Sequence, residues 1–91
     1  MEGLAFRQNP RTAGRVIDGL AFVITPDDSK LHALNRTGTR IWELAGDGCT
    51  LELVAEMLAR QFAVEAPRAR ADAEQFCMDL VQRGILVRGP D

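Results

Sequence analysis

The chain has 91 residues, of which 46% are hydrophobic and 26% are charged, and its formal net charge is −2. This length predicts a single domain, and the apolar content is sufficient for a core, which argues against intrinsic disorder. The acidic balance argues against nucleic-acid binding, because that binding depends largely on neutralising phosphates.

The sequence shows neither a membrane segment nor an export signal. No apolar run approaches the roughly 20 residues needed to cross a bilayer, and the first residues contain Glu2 and no apolar stretch of the kind found in signal peptides. Cys49 and Cys77 have no CxxC neighbour, so we expect reduced thiols in a cytoplasmic protein. Cys49 falls in an expected turn that would leave it exposed, and its role is left open.

An N-terminal arm is expected before the first hairpin. Residues 1–12 are weakly periodic and are interpreted as this arm, with a short strand near Leu4 to Arg7. Asp18-Gly19 then lies between two apolar runs. Both central residues of a type I′ turn need positive φ, which Asp-Gly accepts, so a two-residue hairpin is predicted here.

A third strand is predicted at residues 30–34, after the turn signal TPDDS at residues 25–29. In an extended strand successive side chains point to opposite faces. His32 and Leu34 would therefore share one face, and Leu31 and Ala33 the other.

Three helices are predicted after a polar corner formed by residues 35–39. Asn35 or Thr37 is suited to cap the first helix, and Thr50 is suited to cap the second. Pro67 opens the third helix, where its missing N–H costs nothing. Residues 85–87 are expected to form a short closing strand or an extended tail.

This order of elements predicts an α+β domain of winged-helix type. A three-stranded antiparallel sheet is followed by three helices packed on one side of it. The domain is expected to span residues 13–88, with residues 1–12 as the arm and residues 89–91 as a tail.

No catalytic or metal-binding set of residues is visible. His32 is the only histidine, and its mid-strand position favours a structural or peptide-contacting role over that of a general base. Asp27-Asp28 follows a proline as turn-forming residues do. Cys77 falls on the apolar stripe of the third helix, where a thiol behaves as a small hydrophobe. We therefore predict no catalytic residue, no metal and no cofactor.

The feature that suggests a function is an open sheet edge. A three-stranded meander cannot close on itself, so an outer strand keeps a row of free N–H and C=O groups. A helix beside that strand would form an apolar groove, in which an extended peptide could add as a further strand. The third strand is the expected site, because it leads directly into the helices.

Four segments, taken in order, resemble the PqqD family over about residues 15–87. They are VIDGLAFVI, LHALNRTGTRIWEL, DGCTLELVAEMLARQFAV and ADAEQFCMDLVQRGIL. The strand ending in LN, followed by TGTRIW and then, after DG, by a threonine-capped helix, carries most of the likeness. The resemblance implies a winged-helix-like protein that recognises the leader of ribosomally made peptides destined for modification.

The resemblance also implies where the leader binds. In that family the leader pairs with the third strand and lies against the third helix. Carried over by position, the peptide-binding residues are Lys30, Leu31, His32, Ala33 and Leu34 on the strand, and Arg68, Ala69, Asp72, Ala73 and Phe76 on the helix.

Two segments of the chain depart from the family pattern. The third helix opens with Glu65 and Pro67 where family members often have an aspartate cap. The family's DV..FL signature appears here as Asp72-Ala73 and Phe76-Cys77. The smaller side chains are expected to widen the groove and to change its peptide preference.

The leading hypothesis is a stand-alone, non-catalytic chaperone that presents a precursor peptide to a separate modifying enzyme. By resemblance this enzyme is a radical S-adenosylmethionine enzyme, or a leader peptidase and cyclase. The alternative is a winged-helix nucleic-acid binder whose third helix enters the major groove. A small enzyme is a third hypothesis, for which no paired nucleophile and base is visible. A homodimer, formed through the third strand or a swapped arm, is left open.

Overall fold

The computed structural model of the chain describes residues 4–89, which form two small antiparallel sheets and three helices. The predicted α+β, winged-helix-like class is confirmed, and the fold also has a second small sheet that was not predicted. The strands are β1 (Ala5–Gln8), β2 (Ala13–Ile17), β3 (Leu20–Thr25), β4 (Lys30–Ala33), β5 (Cys49–Thr50) and β6 (Leu86–Arg88). The helices are α1 (Arg36–Leu44), α2 (Leu51–Phe62) and α3 (Ala66–Gln82), and a 3₁₀ turn (Ala45–Asp47) follows α1.

The larger sheet has the strand order β2-β3-β4, as the hairpin signals predict. Asp18 and Gly19 form the β2–β3 turn with φ values of 54° and 83°, the positive values that a type I′ turn requires. The inner face of this sheet carries Ala21 and Val23, which are fully buried in the core. Helix α1 packs against β3 on this face.

The N-terminal segment is part of the fold rather than a detached arm. Strand β1 lies between β5 and β6, and Phe6 on it is fully buried. Asn9 also binds this segment to the residues that follow α3. Its side-chain amide donates to the carbonyl of Gly84 at 2.9 Å, and its backbone N–H donates to the carbonyl of Ile85 at 3.0 Å. The short strand predicted near Leu4 to Arg7 is confirmed as β1, while its place between two other strands was not predicted. The first three residues of the expected arm, and the last two of the expected tail, lie outside the described range.

The helices begin and end where the capping signals predict. Asn35 caps α1 by accepting a 2.7 Å hydrogen bond from the N–H of Gly38, and Thr50 caps α2 through the N–H of Leu53 at 3.1 Å. Gly84, with φ of 81°, follows α3 in the left-handed conformation that favours glycine. None of the described helices is long and apolar enough to cross a membrane.

The core contains both cysteines and the tryptophan. Cys49 lies in β5 opposite Phe6 and is 3% exposed, so the expectation that it occupies an exposed turn is wrong. Cys77 is buried on α3, and this burial raises the pKa of its thiol to about 12. Trp42 anchors α1 beneath β2, so close that a Cβ atom on Gly14 would lie 2.7 Å from its Cζ2 atom.

Candidate functional site

Strand β4 pairs with β3 on one side, and no other described strand pairs with its opposite side. The backbone N–H of Leu34 donates to the carbonyl of Ala21 at 2.9 Å, so the main-chain groups of Leu34 face β3. Because these directions alternate along an antiparallel strand, the N–H and C=O groups of His32 also face β3. Those of Leu31 and Ala33 therefore point to the open edge.

The side chains of β4 alternate as the sequence predicts. His32 and Leu34 turn inward, where Leu34 is buried and the Nε2 atom of His32 lies 3.1 Å from the Oγ1 atom of Thr25. Leu31 and Ala33 turn outward, and Leu31 is 65% exposed. Lys30, at the start of the strand, is also exposed. Because the side chains of β4 point to the two faces of the sheet, they do not cover its open edge, and the main chain there is accessible.

A groove lies between the end of β4 and the C-terminal half of α3. It has a volume of about 210 Å³. On the strand side it is lined by Ala33, Leu34, Asn35 and Gly38, and on the helix side by Phe76, Asp79, Leu80 and Arg83. The open edge and the helix thus form adjacent walls of one concave surface, which is the arrangement that strand addition uses.

The helix wall differs in part from the one expected. Phe76 lines the groove and is 36% exposed, so its ring is accessible to a bound peptide. Asp72 lies one turn earlier and lines a neighbouring depression of about 300 Å³ together with Phe76. Arg68 is exposed and its Nε atom lies 3.8 Å from a carboxylate oxygen of Asp72.

Two expected wall residues, Ala69 and Ala73, lie in the core. Both are 0% exposed, so neighbouring side chains separate them from any peptide bound in the groove. They allow α2 and α3 to pack closely. The face of α3 that carries Phe76 lines the groove instead.

Five groove residues do not appear among the predicted site residues: Asn35 and Gly38 lie beside β4, and three lie on the helix side, Asp79, Leu80 and Arg83. The last three follow Phe76 at spacings of three, four and seven, which places all of them on one helical face. The helical period extended from Phe76 would have indicated them. The helix residues implied by the resemblance end at Phe76 and do not include these three.

Charges along the groove are paired within α3. The Nε atom of Arg83 lies 3.2 Å from a carboxylate oxygen of Asp79, one turn earlier in the helix, and Arg68 and Asp72 repeat this spacing. All four side chains are well exposed, so each pair contributes little to stability. The groove therefore presents mixed rather than single-sign charge.

The acidic turn residues have partners of their own. Asp27 pairs with Arg11 at 2.6 Å, and Asp28 accepts a hydrogen bond from the hydroxyl of Thr25, which lowers the pKa of the Asp28 carboxyl. Within residues 4–89, no group of three or more His, Cys, Asp or Glu side chains is arranged to hold a metal ion. The geometry of the described site offers main-chain pairing and apolar contact.

These features define a winged-helix-like α+β domain with an open edge strand beside a helix. The family model for "Coenzyme PQQ synthesis protein D (PqqD)" matches residues 21–86. The chain therefore belongs to the PqqD family.

Two solved structures have a similar fold. One is described as TbiB1 in complex with the TbiA(beta) leader peptide, with a TM-score of 0.80 and 20% identity over 93% of this chain and 99% of that chain. The other is a lasso peptide synthetase B1 complexed with the leader peptide, with a TM-score of 0.76 and 23% identity over 90% of this chain and 96% of that chain. At these identities the likeness establishes the fold. No curated protein matches the chain.

Proposed function

We propose that this protein is a non-catalytic peptide chaperone that binds the leader segment of a ribosomally made precursor and presents the precursor to a modifying enzyme. The observation that carries the proposal is the open edge of β4 beside the groove at Phe76. Membership of the PqqD family supports it. So do the two structural neighbours, both of which are complexes with leader peptides.

The leader would add to the sheet as a fourth strand. Leu31 and Ala33 each offer one N–H and one C=O group, and the bound segment would pair with these groups along the edge. Main-chain bonds of this kind hold many sequences, so they supply affinity with little discrimination. Side-chain contacts must therefore supply the specificity.

Alternate leader side chains would enter the groove. An apolar residue would contact Phe76 and Leu80 on the helix side and Leu34 at its base, which removes apolar surface from water. The edge and the groove are held in a fixed relation by the corner between β4 and α1, so little ordering of the protein is required on binding. We expect a dissociation constant near the micromolar range, which corresponds to about 8 kcal/mol.

The chemistry of modification would belong to a separate partner. We propose a radical S-adenosylmethionine enzyme, or a leader peptidase and cyclase, acting in the cytoplasm on a precursor held by this chain. The chain would contribute binding and positioning, because its described site offers main-chain groups and a groove of mixed polarity that contains Phe76, rather than a nucleophile paired with a base.

A titration tests the proposal. Isotope-labelled protein is mixed with the leader peptide of a candidate precursor from its genomic neighbourhood, and backbone amide shifts are recorded. We expect the largest shifts in residues 30–34 and in the second half of α3, near Phe76 and Leu80. Shifts confined to β2 or α2, or no shifts at millimolar peptide, would contradict the proposal.

A further inference from the structure

The larger sheet has an outer face, turned away from the helices, that is mainly apolar. Ile17, Ile24 and Leu31 project from it and are 48%, 48% and 65% exposed. Together with Phe22 they line a shallow depression of about 380 Å³. An antiparallel sheet with one solvated face normally alternates apolar and polar residues, so an apolar outer face indicates a surface that another molecule covers.

We propose that this outer face is the docking surface for the modifying enzyme, and that the enzyme contacts the face and the bound leader together. The inference rests on the proposed function, because it requires a leader on β4. The enzyme would dock on the outer face, and its binding would depend on the leader.

The size of the face argues against a second copy of this chain as its occupant. Three strands about 4.8 Å apart, each about five residues long at about 3.3 Å per residue, give a projected face of about 240 Å². A stable interface buries about 800 Å² on each partner. The face alone is therefore too small for a stable dimer, but it suits a partner that must bind and release.

A bound leader would enlarge the same surface. A fourth strand beside β4 continues the sheet, and those of its side chains that point away from the groove would lie next to Leu31 on the outer face. The enzyme would then contact protein and peptide at once. Its affinity should therefore be higher for the leader complex than for the chain alone, and by linkage the enzyme should tighten leader binding by the same factor.

Charge on the face indicates the chemistry of the partner. Arg15 on β2 lies directly opposite Phe22, and no described residue forms an ion pair with it. An unpaired guanidinium at the margin of an apolar face is complementary to a carboxylate. The enzyme surface is thus expected to be apolar with an Asp or Glu opposite Arg15.

The test uses the purified enzyme encoded beside the precursor, the full-length chain and the leader peptide, with each binding step measured separately by calorimetry. Ile24→Lys should weaken enzyme binding about tenfold or more, whereas leader binding should change by less than about twofold because Ile24 faces away from the groove. Leu53→Lys is the matched control, since Leu53 is a similarly exposed apolar residue on α2, and it should change neither step. Arg15→Glu should weaken enzyme binding, and Arg15→Lys should retain most of it.

Three results would overturn the inference. The first is enzyme binding that is unaffected by Ile24→Lys and by a second variant, Ile17→Lys, when circular dichroism shows both to be folded. The second is enzyme affinity that is the same with and without leader. The third is a dimer of the chain, seen by sedimentation at about 100 µM and broken by Ile24→Lys, because mass action would then assign the face to a second copy. A chain that fails to bind leader refutes the proposed function, whereas one that binds leader but gives any of these results refutes only the docking surface.

Discussion

The backbone N–H of Ala21 in β3 donates a 2.9 Å hydrogen bond to the side-chain hydroxyl of Thr39 in α1, and the bond is buried. The carbonyl of the same Ala21 accepts from the N–H of Leu34, the residue that follows β4. In a continuing ladder the Ala21 N–H would bond to β4, but the chain leaves the sheet at this point to enter the helix. The Thr39 hydroxyl replaces the missing strand partner and thereby fixes the helix to the sheet.

Loss of the Thr39 hydroxyl should destabilise the protein. Thr39→Val keeps the shape of the side chain but leaves the buried N–H of Ala21 without an acceptor. We expect the free energy of unfolding to fall by about 1–3 kcal/mol. Denaturant unfolding measures the change, and Thr39→Ser, which keeps the hydroxyl, is the control. Equal stability of the Val and Ser variants would show that the hydroxyl does not hold this corner.

Phe76 should contribute more to leader binding than to folding. Phe76→Ala removes the aromatic wall of the groove, and we expect leader affinity to fall by about 5- to 30-fold, as for a central apolar contact. Phe62→Ala is the matched control, because Phe62 is 51% exposed on α2 and does not line the groove. Calorimetry with the leader peptide gives both affinities. If the two variants bind alike, the groove is not the specificity site.

Salt should have little effect on leader binding. The charges along the groove are already paired within α3, as in Asp79 with Arg83, and main-chain pairing does not depend on ionic strength. We expect the dissociation constant to change by less than about threefold between about 0.1 and 0.5 M salt. A nucleic-acid complex would instead weaken steeply with salt. Strong, salt-sensitive binding of duplex DNA together with weak leader binding would favour the winged-helix alternative.

The buried thiol of Cys77 should make the protein less stable in alkali. Burial raises its pKa from 9.0 to about 12, so the folded state retains a proton that the unfolded state loses. The contribution of this thiol to the free energy of unfolding is fully present below the pKa of the unfolded state. It is lost as the pH rises from about 9 to about 12. Cys77→Ala should show a shallower fall in the free energy of unfolding over this interval, whatever its stability at pH 7. Parallel curves for the two proteins would contradict this assignment.

The larger sheet and the three helices could be predicted because their signals are local. Asp18-Gly19 determines a hairpin, and Asn35, Thr50 and Pro67 mark helix starts through the chemistry of their own positions. The β4 edge could also be predicted, since a three-strand meander leaves outer strands. These features need no knowledge of what packs against them.

The second sheet, the helix wall and the corner bond depend on contacts between distant residues. The short strand near Leu4 to Arg7 could be predicted, but its pairing with β5 and β6 could not, and Thr39 becomes an acceptor only when α1 lies on β3. Gly14 gives no turn signal, yet its lack of a side chain lets Trp42 approach β2. The resemblance places Ala69 and Ala73 in the groove wall, but the packing of α3 against α2 puts both in the core.

The most direct measurement of the central claim compares two edge prolines. Leu31→Pro removes an N–H that points to the open edge of β4, and Val16→Pro removes one that points to the open edge of β2. Neither change breaks a bond to β3, so both proteins should fold. We expect Leu31→Pro to reduce leader affinity by about tenfold or more, with Val16→Pro close to wild type. Unchanged affinity in Leu31→Pro, or an equal loss in both variants, would show that the leader does not add to β4.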